Sequence, residues 1–148
     1  MNILNLKIVT PERVLFEGEV TQVTLPSSSG QITILPHHIT LISSLTAGEI
    51  RYQAEHQEGF IAIEGGFVEI VPHGLVVLAD AGQMASEIDD TKVRQAIERA
   101  QKALETTGIQ DRNYEMLRAL IERETSKLNV SRNFKERGGH TKHHDNNL

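Results

Sequence analysis

The chain has 148 residues, 39% of them apolar and 24% charged, which suits one domain or a small domain with an appendage and is enough to build a packed core. Cysteine is absent, so disulfides, thiolate metal sites, iron–sulfur clusters and cysteine nucleophiles are excluded. A net charge of −5 argues against nucleic acid as the main partner, because neutralising phosphates needs a basic face.

The opening Met1-Asn2-Ile3-Leu4-Asn5-Leu6-Lys7 lacks the basic-then-apolar order of a secretory signal, and no window approaches the ~18 consecutive apolar residues of a membrane span. A chain that is neither secreted nor membrane-spanning is expected. Charge is unevenly spread. Up to Ala85 only Lys7, Arg13 and Arg51 are basic against nine acidic residues, whereas the remainder is densely charged and nearly balanced. That break is what two differently built domains would give.

From Ile3 to Ala79 apolar residues recur with period two or in short β-branched runs, which predicts strands. Candidate strands run over 4–10, 13–17, 19–25, 31–35, a short piece near Leu41, 49–54, 60–64, 67–71 and 75–79. Turn residues punctuate them at Pro11, Gly18, Ser27-Ser28-Ser29-Gly30, Pro36, Ala47-Gly48, Glu58-Gly59, Gly65-Gly66 and Pro72-His73-Gly74. The connections are too short for crossover helices, so the strands must pair mostly antiparallel, as a sandwich or flattened barrel. Gly65-Gly66 reads as a tight hairpin.

After Asp80 the spacing changes to about 3.6. Ser86 or Asp89 can cap a first helix, with Val93, Ala96, Ile97, Ala100 and Leu104 on one face and Asp90, Arg94, Glu98 and Lys102 alternating in sign on another. Thr106-Thr107-Gly108 ends it. Asp111 caps a second helix with Tyr114, Leu117, Leu120, Ile121 and Leu128 as its stripe, interrupted by Glu122, Arg123, Glu124 and Thr125. The short connection predicts an antiparallel hairpin. The first helix offers a thin, alanine-rich face at ~0.8 kcal/mol per methyl-sized group, so its docking is worth about a few kcal/mol and undocking is cheap.

The fold class expected is mainly β plus α: an N-terminal antiparallel β-sandwich over residues 1–85, then a C-terminal helical hairpin over 86–131. Residues 132–148, ending in a His- and Asn-rich stretch, read as a disordered tail.

Catalytic motifs are missing: there is no nucleophile elbow, metalloprotease helix or phosphate loop. His37-His38, with His56 or His73, is the best metal candidate. Adjacent strand residues point to opposite faces and no third ligand follows at a recognisable spacing, so no metal site is expected. Asp80 and Glu87 read as junction residues rather than a carboxylate pair. Asp89, Lys92 and Arg99 are compatible with one flank of the first helix, where a nucleotide's base and phosphates could be received; a solvated charged face is the plain alternative.

Taken together, Lys7-Ile8-Val9-Thr10-Pro11-Glu12-Arg13, Gly30-Gln31-Ile32-Thr33-Ile34-Leu35-Pro36-His37-His38, Glu64-Gly65-Gly66-Phe67-Val68-Glu69 and Val76-Val77-Leu78-Ala79-Asp80 resemble, in order, the markers of the epsilon subunit of bacterial and chloroplast F-type ATP synthases. The resemblance covers roughly residues 3 to 130. It implies a non-catalytic central-stalk subunit whose sandwich binds the gamma subunit and the c-ring, coupling proton-driven rotation to ATP synthesis. It also implies a hairpin that extends to restrain ATP hydrolysis. Gln31, Thr33, His37, His38 and Thr40 are then the implied gamma and ring contacts. Arg118, Arg123 and Lys127 are expected to face an acidic segment of the catalytic beta subunit within the alpha–beta hexamer. Ile88, Asp89, Lys92 and Arg99 are the implied site for a regulatory ATP, with no cofactor required.

The implied place is the cytoplasmic face of a plasma or thylakoid membrane, reached through partners rather than lipid. Two departures stand out. Pro36-His37-His38-Ile39-Thr40-Leu41 replaces the family's Pro-Gly-His-Ala-Pro-Leu, and Lys92 and Val93 replace the Arg-Ala of ATP-binding members, so a point charge stands where a bidentate fork would. A free-standing sandwich module whose hairpin recruits another protein is the alternative reading.

Overall fold

The computed structural model describes residues 2–138. Eight strands come first: β1 (Leu4–Val9), β2 (Val14–Val20), β3 (Gln22–Ser27), β4 (Gly30–Ile34), β5 (Leu41–Gln53), β6 (Glu58–Val71), β7 (Gly74–Ala79) and β8 (Gly82–Met84). A 3-10 turn over Ala85–Glu87 leads into α1 (Asp90–Glu105) and α2 (Arg112–Asn133), and a π-helical turn follows over Phe134–Gly138. The strand order is β2-β1-β7-β6-β5-β3-β4, with β8 on β6; every pair is antiparallel except β1 with β7.

β5 and β6 are longer than the sequence pattern suggests. Ala47-Gly48 and Gly65-Gly66 do not turn the chain; they lie inside two continuous strands paired from Leu41↔Ile70 to Gln53↔Glu58. The expected hairpin at Gly65-Gly66 is therefore a bend within β6, with φ of 118° and 141° at the two glycines. A Cβ on Gly66 would collide with the Leu78 carbonyl, so close approach as well as backbone angle requires glycine.

At this bend the side chains change face. Ile61 and Ile63 point into the core before it and Val68 and Ile70 after it; on the partner strand Leu45 gives way to Ile50 and Tyr52. Odd positions hand over to even ones on both strands together, carrying the ribbon from one side of the core to the other. The core is closed by Leu4, Leu6 and Ile8 of β1, Val23 and Leu25 of β3, Ile34 of β4, and Leu75 and Val77 of β7.

The run Phe60-Ile61-Ala62-Ile63 is buried on both faces, which explains its lack of alternation. Its second face meets the helices: Phe60 and Ala62 pack with Ala85, Ile88, Val93 and Val130, joined by Ile97, Leu128 and Phe134. Of the two expected caps it is Asp89 that serves α1, accepting from the Thr91 and Lys92 amides, while Asp111 caps α2. The helices pack against each other as a hairpin, and it is α2 that lies along β5 and β6. Attachment thus rests largely on α2 rather than on the alanine-rich face of α1. Where the sequence reading placed a tail from residue 132, α2 continues to Asn133 and the π turn to Gly138; residues 139–148 of that tail lie outside the described residues.

Candidate functional site

Two surfaces carry the chemistry. The first is on the sandwich. Register places Ser44, Phe67, Leu78, Val9 and Val14 in one row across β5, β6, β7, β1 and β2, all on the outward face. Phe67 is 58% exposed, Leu78 56% and Val14 51%. A contiguous apolar row left in water marks a docking face. Ile42, one pair further along β5, extends it, and Leu35 and Ile39 stand exposed on the neighbouring loop between β4 and β5.

The sequence-predicted ring and gamma contacts fall on β4 and that loop. Gln31, Thr33, His37 and Thr40 are exposed and His38 is half-buried. Thr33 bonds Thr24 hydroxyl to hydroxyl at 3.0 Å, and His38 Nδ1 lies 2.8 Å from the Ile39 carbonyl. His37 takes φ of 67°, the left-handed region, at the place where the family has glycine. His56 and His73 sit in the turns at opposite ends of β6, and among the described residues no three His, Asp or Glu side chains converge on a metal-sized site.

The apolar row itself was missed by sequence reasoning. Its signal was the unbroken run Leu75-Val76-Val77-Leu78-Ala79, which alternation on a half-solvated sheet would not produce.

The second surface lies where the hairpin meets the sandwich. A cleft of about 290 Å³ is lined on the sandwich side by Arg13, Glu64 and Gln83 and on α2 by Arg123, Ser126 and Lys127. An adjoining open cleft of about 270 Å³ shares Gln83 and Lys127 and adds Glu87, Asp89, Lys92 and Glu124. Of the expected nucleotide residues, then, Asp89 and Lys92 line a cleft. Ile88 is buried beneath it in the second apolar cluster, and Arg99 is exposed two turns along α1, with Nε donating to the Gln95 carbonyl.

Charges in these clefts are largely spoken for. Arg13 grips Glu87 through two hydrogen bonds of 3.0 and 2.5 Å, which hold the Glu87 carboxyl below its usual range. Glu87 is thereby separated from any partnership with Asp80. Lys127 lies 3.0 Å from Glu124 and 3.6 Å from Glu64. Arg123 keeps a buried Nε without a hydrogen-bond partner among the described residues. Of the three bases expected to meet the catalytic subunit, Arg123 and Lys127 are turned toward the sandwich, and Arg118 is exposed with its guanidinium 6.0 Å from the Tyr114 ring.

Known proteins share this architecture. Residues 3–85 match the family model for the ATP synthase delta/epsilon chain β-sandwich domain. The ATP synthase epsilon chain of Halalkalibacterium halodurans is 34% identical over 131 residues, covering 88% of this chain and 98% of the relative. That of Dichelobacter nodosus is 33% identical over 135 residues, covering 87% and 94%. In structure, the chain resembles one from the Euglena gracilis mitochondrial ATP synthase assembly of OSCP, F1 and c-ring, with a TM-score of 0.66 at 16% identity, covering 90% of this chain and 80% of that one.

A β-sandwich followed by two helices is the fold shared with that chain, and its first part matches the β-sandwich of the delta/epsilon chains. The chain belongs to the ATP synthase delta/epsilon family, among the epsilon chains. Epsilon chains are non-catalytic subunits of a membrane-associated complex. Among the described residues no helix is long and apolar enough to cross a membrane.

Proposed function

We propose that the sandwich docks on the gamma subunit and the c-ring, transmitting proton-driven rotation to ATP synthesis, and that the hairpin restrains ATP hydrolysis when it leaves the sandwich. The observation that carries the reading is the row of exposed Val14, Leu78 and Phe67, with half-buried Val9 among them, on the sheet beside a hairpin attached over a small apolar patch. The row serves the gamma subunit, and the loop bearing His37, His38 and Thr40 serves the ring. Arg118, Arg123 and Lys127 serve the acidic segment of the catalytic beta subunit; two of them must first leave the clefts. The subunit then sits on the cytoplasmic face of its membrane, held there by its partners.

Reconstitution with gamma tests the reading. Full-length chain and a version ending at Ser86 should both bind gamma, and only the full-length chain should lower hydrolysis by the assembled catalytic hexamer. Failure of either to bind gamma would restore the free-standing module. Phe67→Glu should weaken gamma binding about tenfold or more, since it places a charge in a desolvated interface.

A regulatory ATP in the hairpin clefts is supported by the convergence of Asp89, Lys92, Arg123 and Lys127 on adjoining space. Nucleotide there would favour the parked pose; at about a hundred times its dissociation constant it adds ~2.7 kcal/mol. Glu87 and Glu124 oppose the phosphates, so affinity is low. Calorimetry on the isolated chain that shows no heat at millimolar ATP removes the site.

A further inference from the structure

The end of α2 joins three parts of the molecule at one place. Ser131, 1% exposed, donates its hydroxyl to Asp90 Oδ1 at 2.6 Å, and Lys135 Nζ lies 2.7 Å from Asp90 Oδ2, so both carboxylate oxygens of the first residue of α1 are held by the far end of the hairpin. Asn133 Nδ2 donates to Glu49 Oε2 on β5 at 2.9 Å. The Phe134 ring meets Phe60 of β6 edge-on with centroids 6.2 Å apart, beside Val130, which is 1% exposed. The other end of the hairpin, from Thr106 to Asp111, is exposed apart from half-buried Thr107. The hairpin is closed at its root and free at its tip.

We propose that residues 130–135 are a clasp that sets the parked population of the hairpin: α2 leaves the sandwich only when Asp90 lets go of Ser131 and Lys135 and Phe134 leaves Phe60. The inference rests on the reading that the hairpin moves, and adds what controls the motion. An ordinary amphipathic helix packed by its stripe would open from either end. This one must be released where the chain leaves α2, so an event at residues 130–135 governs the clefts one to two turns back along α2.

The chain has no cysteine, so Ala85→Cys, beneath the hairpin and 3% exposed, gives a single thiol whose labelling rate follows lifting of the hairpin. In that background Lys135→Glu should speed labelling about fivefold, since it replaces an attraction with repulsion at an exposed position that cannot unfold the sheet. Phe134→Ala should speed it about tenfold or more. Lys102→Glu, the same charge change in an exposed pair with Glu98 on α1, should leave it unchanged. Labelling rates for Lys135→Glu and Phe134→Ala equal to that of Lys102→Glu overturn the clasp. In the reconstituted complex Lys135→Glu should deepen the restraint of hydrolysis. Faster labelling with unaltered hydrolysis keeps the clasp and refutes the restraining role of the hairpin.

Discussion

The sandwich and the hairpin are built to different standards by the same chain. In the sandwich Ile8, Val23, Leu25, Ile34, Ile50, Ile61, Val68, Ile70 and Val77 are all fully enclosed, and each strand is bonded along its length to a neighbour. Within α1 and α2 only Val93, Ala100, Val130 and Ser131 are buried, and the α2 stripe from Tyr114 to Ile121 is half-exposed throughout. Local stability follows buried apolar contact, so the sheet opens only with global unfolding while the hairpin detaches below that cost. Burial alone thus separates the two regions along the division that the proposed function requires, a load-bearing body and a moving hairpin.

Substitutions graded by region test this contrast. Ile50→Ala, at a fully enclosed position, should cost about 3–4 kcal/mol and lower the urea midpoint of the whole sheet. A loss near 1 kcal/mol would mean that the core gives way as easily as the helices. Leu120→Ala, half-exposed between the helices, should cost about 1 kcal/mol and reduce helicity without shifting the midpoint of the sheet. A shift of that midpoint would join the two regions into one cooperative unit. Asp89→Ala removes the acceptor for the Thr91 and Lys92 amides and should cost about 1 kcal/mol, read as fraying of α1 by amide exchange.

The smallest effect is expected from pH. Asp90 is held below its usual range first by Lys135, then by Ser131, with Arg94 adding to it, as Glu87 is by Arg13. A carboxyl lowered in the docked state stabilises docking fully above its undocked value and loses that stabilisation as pH falls through the docked one. Hairpin docking should therefore be flat from about pH 5 to 8 and weaken below about pH 4. Val130 methyl shifts followed by NMR would reveal it; weakening between pH 6 and 7 would point to a group other than these two.

Most strands and both helices were legible because period and capping residues are local signals: Asp111 announces α2 by side-chain chemistry alone, while Asp89 was one of two candidate caps for α1 and β8 went unread. What escaped was long-range. Gly65-Gly66 looks like a turn in sequence and is a bend because β5 continues to pair across it. The run from Arg132 looks like a tail, and up to Gly138 it is tied to Asp90, Glu49 and Phe60, which lie 45 to 84 residues away. Among the site residues, Asp89 and Lys92 line one cleft, Arg99 stands apart from it, and Arg13, between β1 and β2, enters the junction unannounced.

The ribbon formed by β5 and β6 belongs to both layers of the sandwich. Were the layers separate sheets held by side chains alone, a torque on one would be taken up by slippage. Here both layers share the two strands of one ribbon, paired from Leu41 to Gln53, so shear between them must deform continuous backbone at the bend. An object so made would answer torsion as a key rather than a cushion, which is what the proposed transmission of rotation needs.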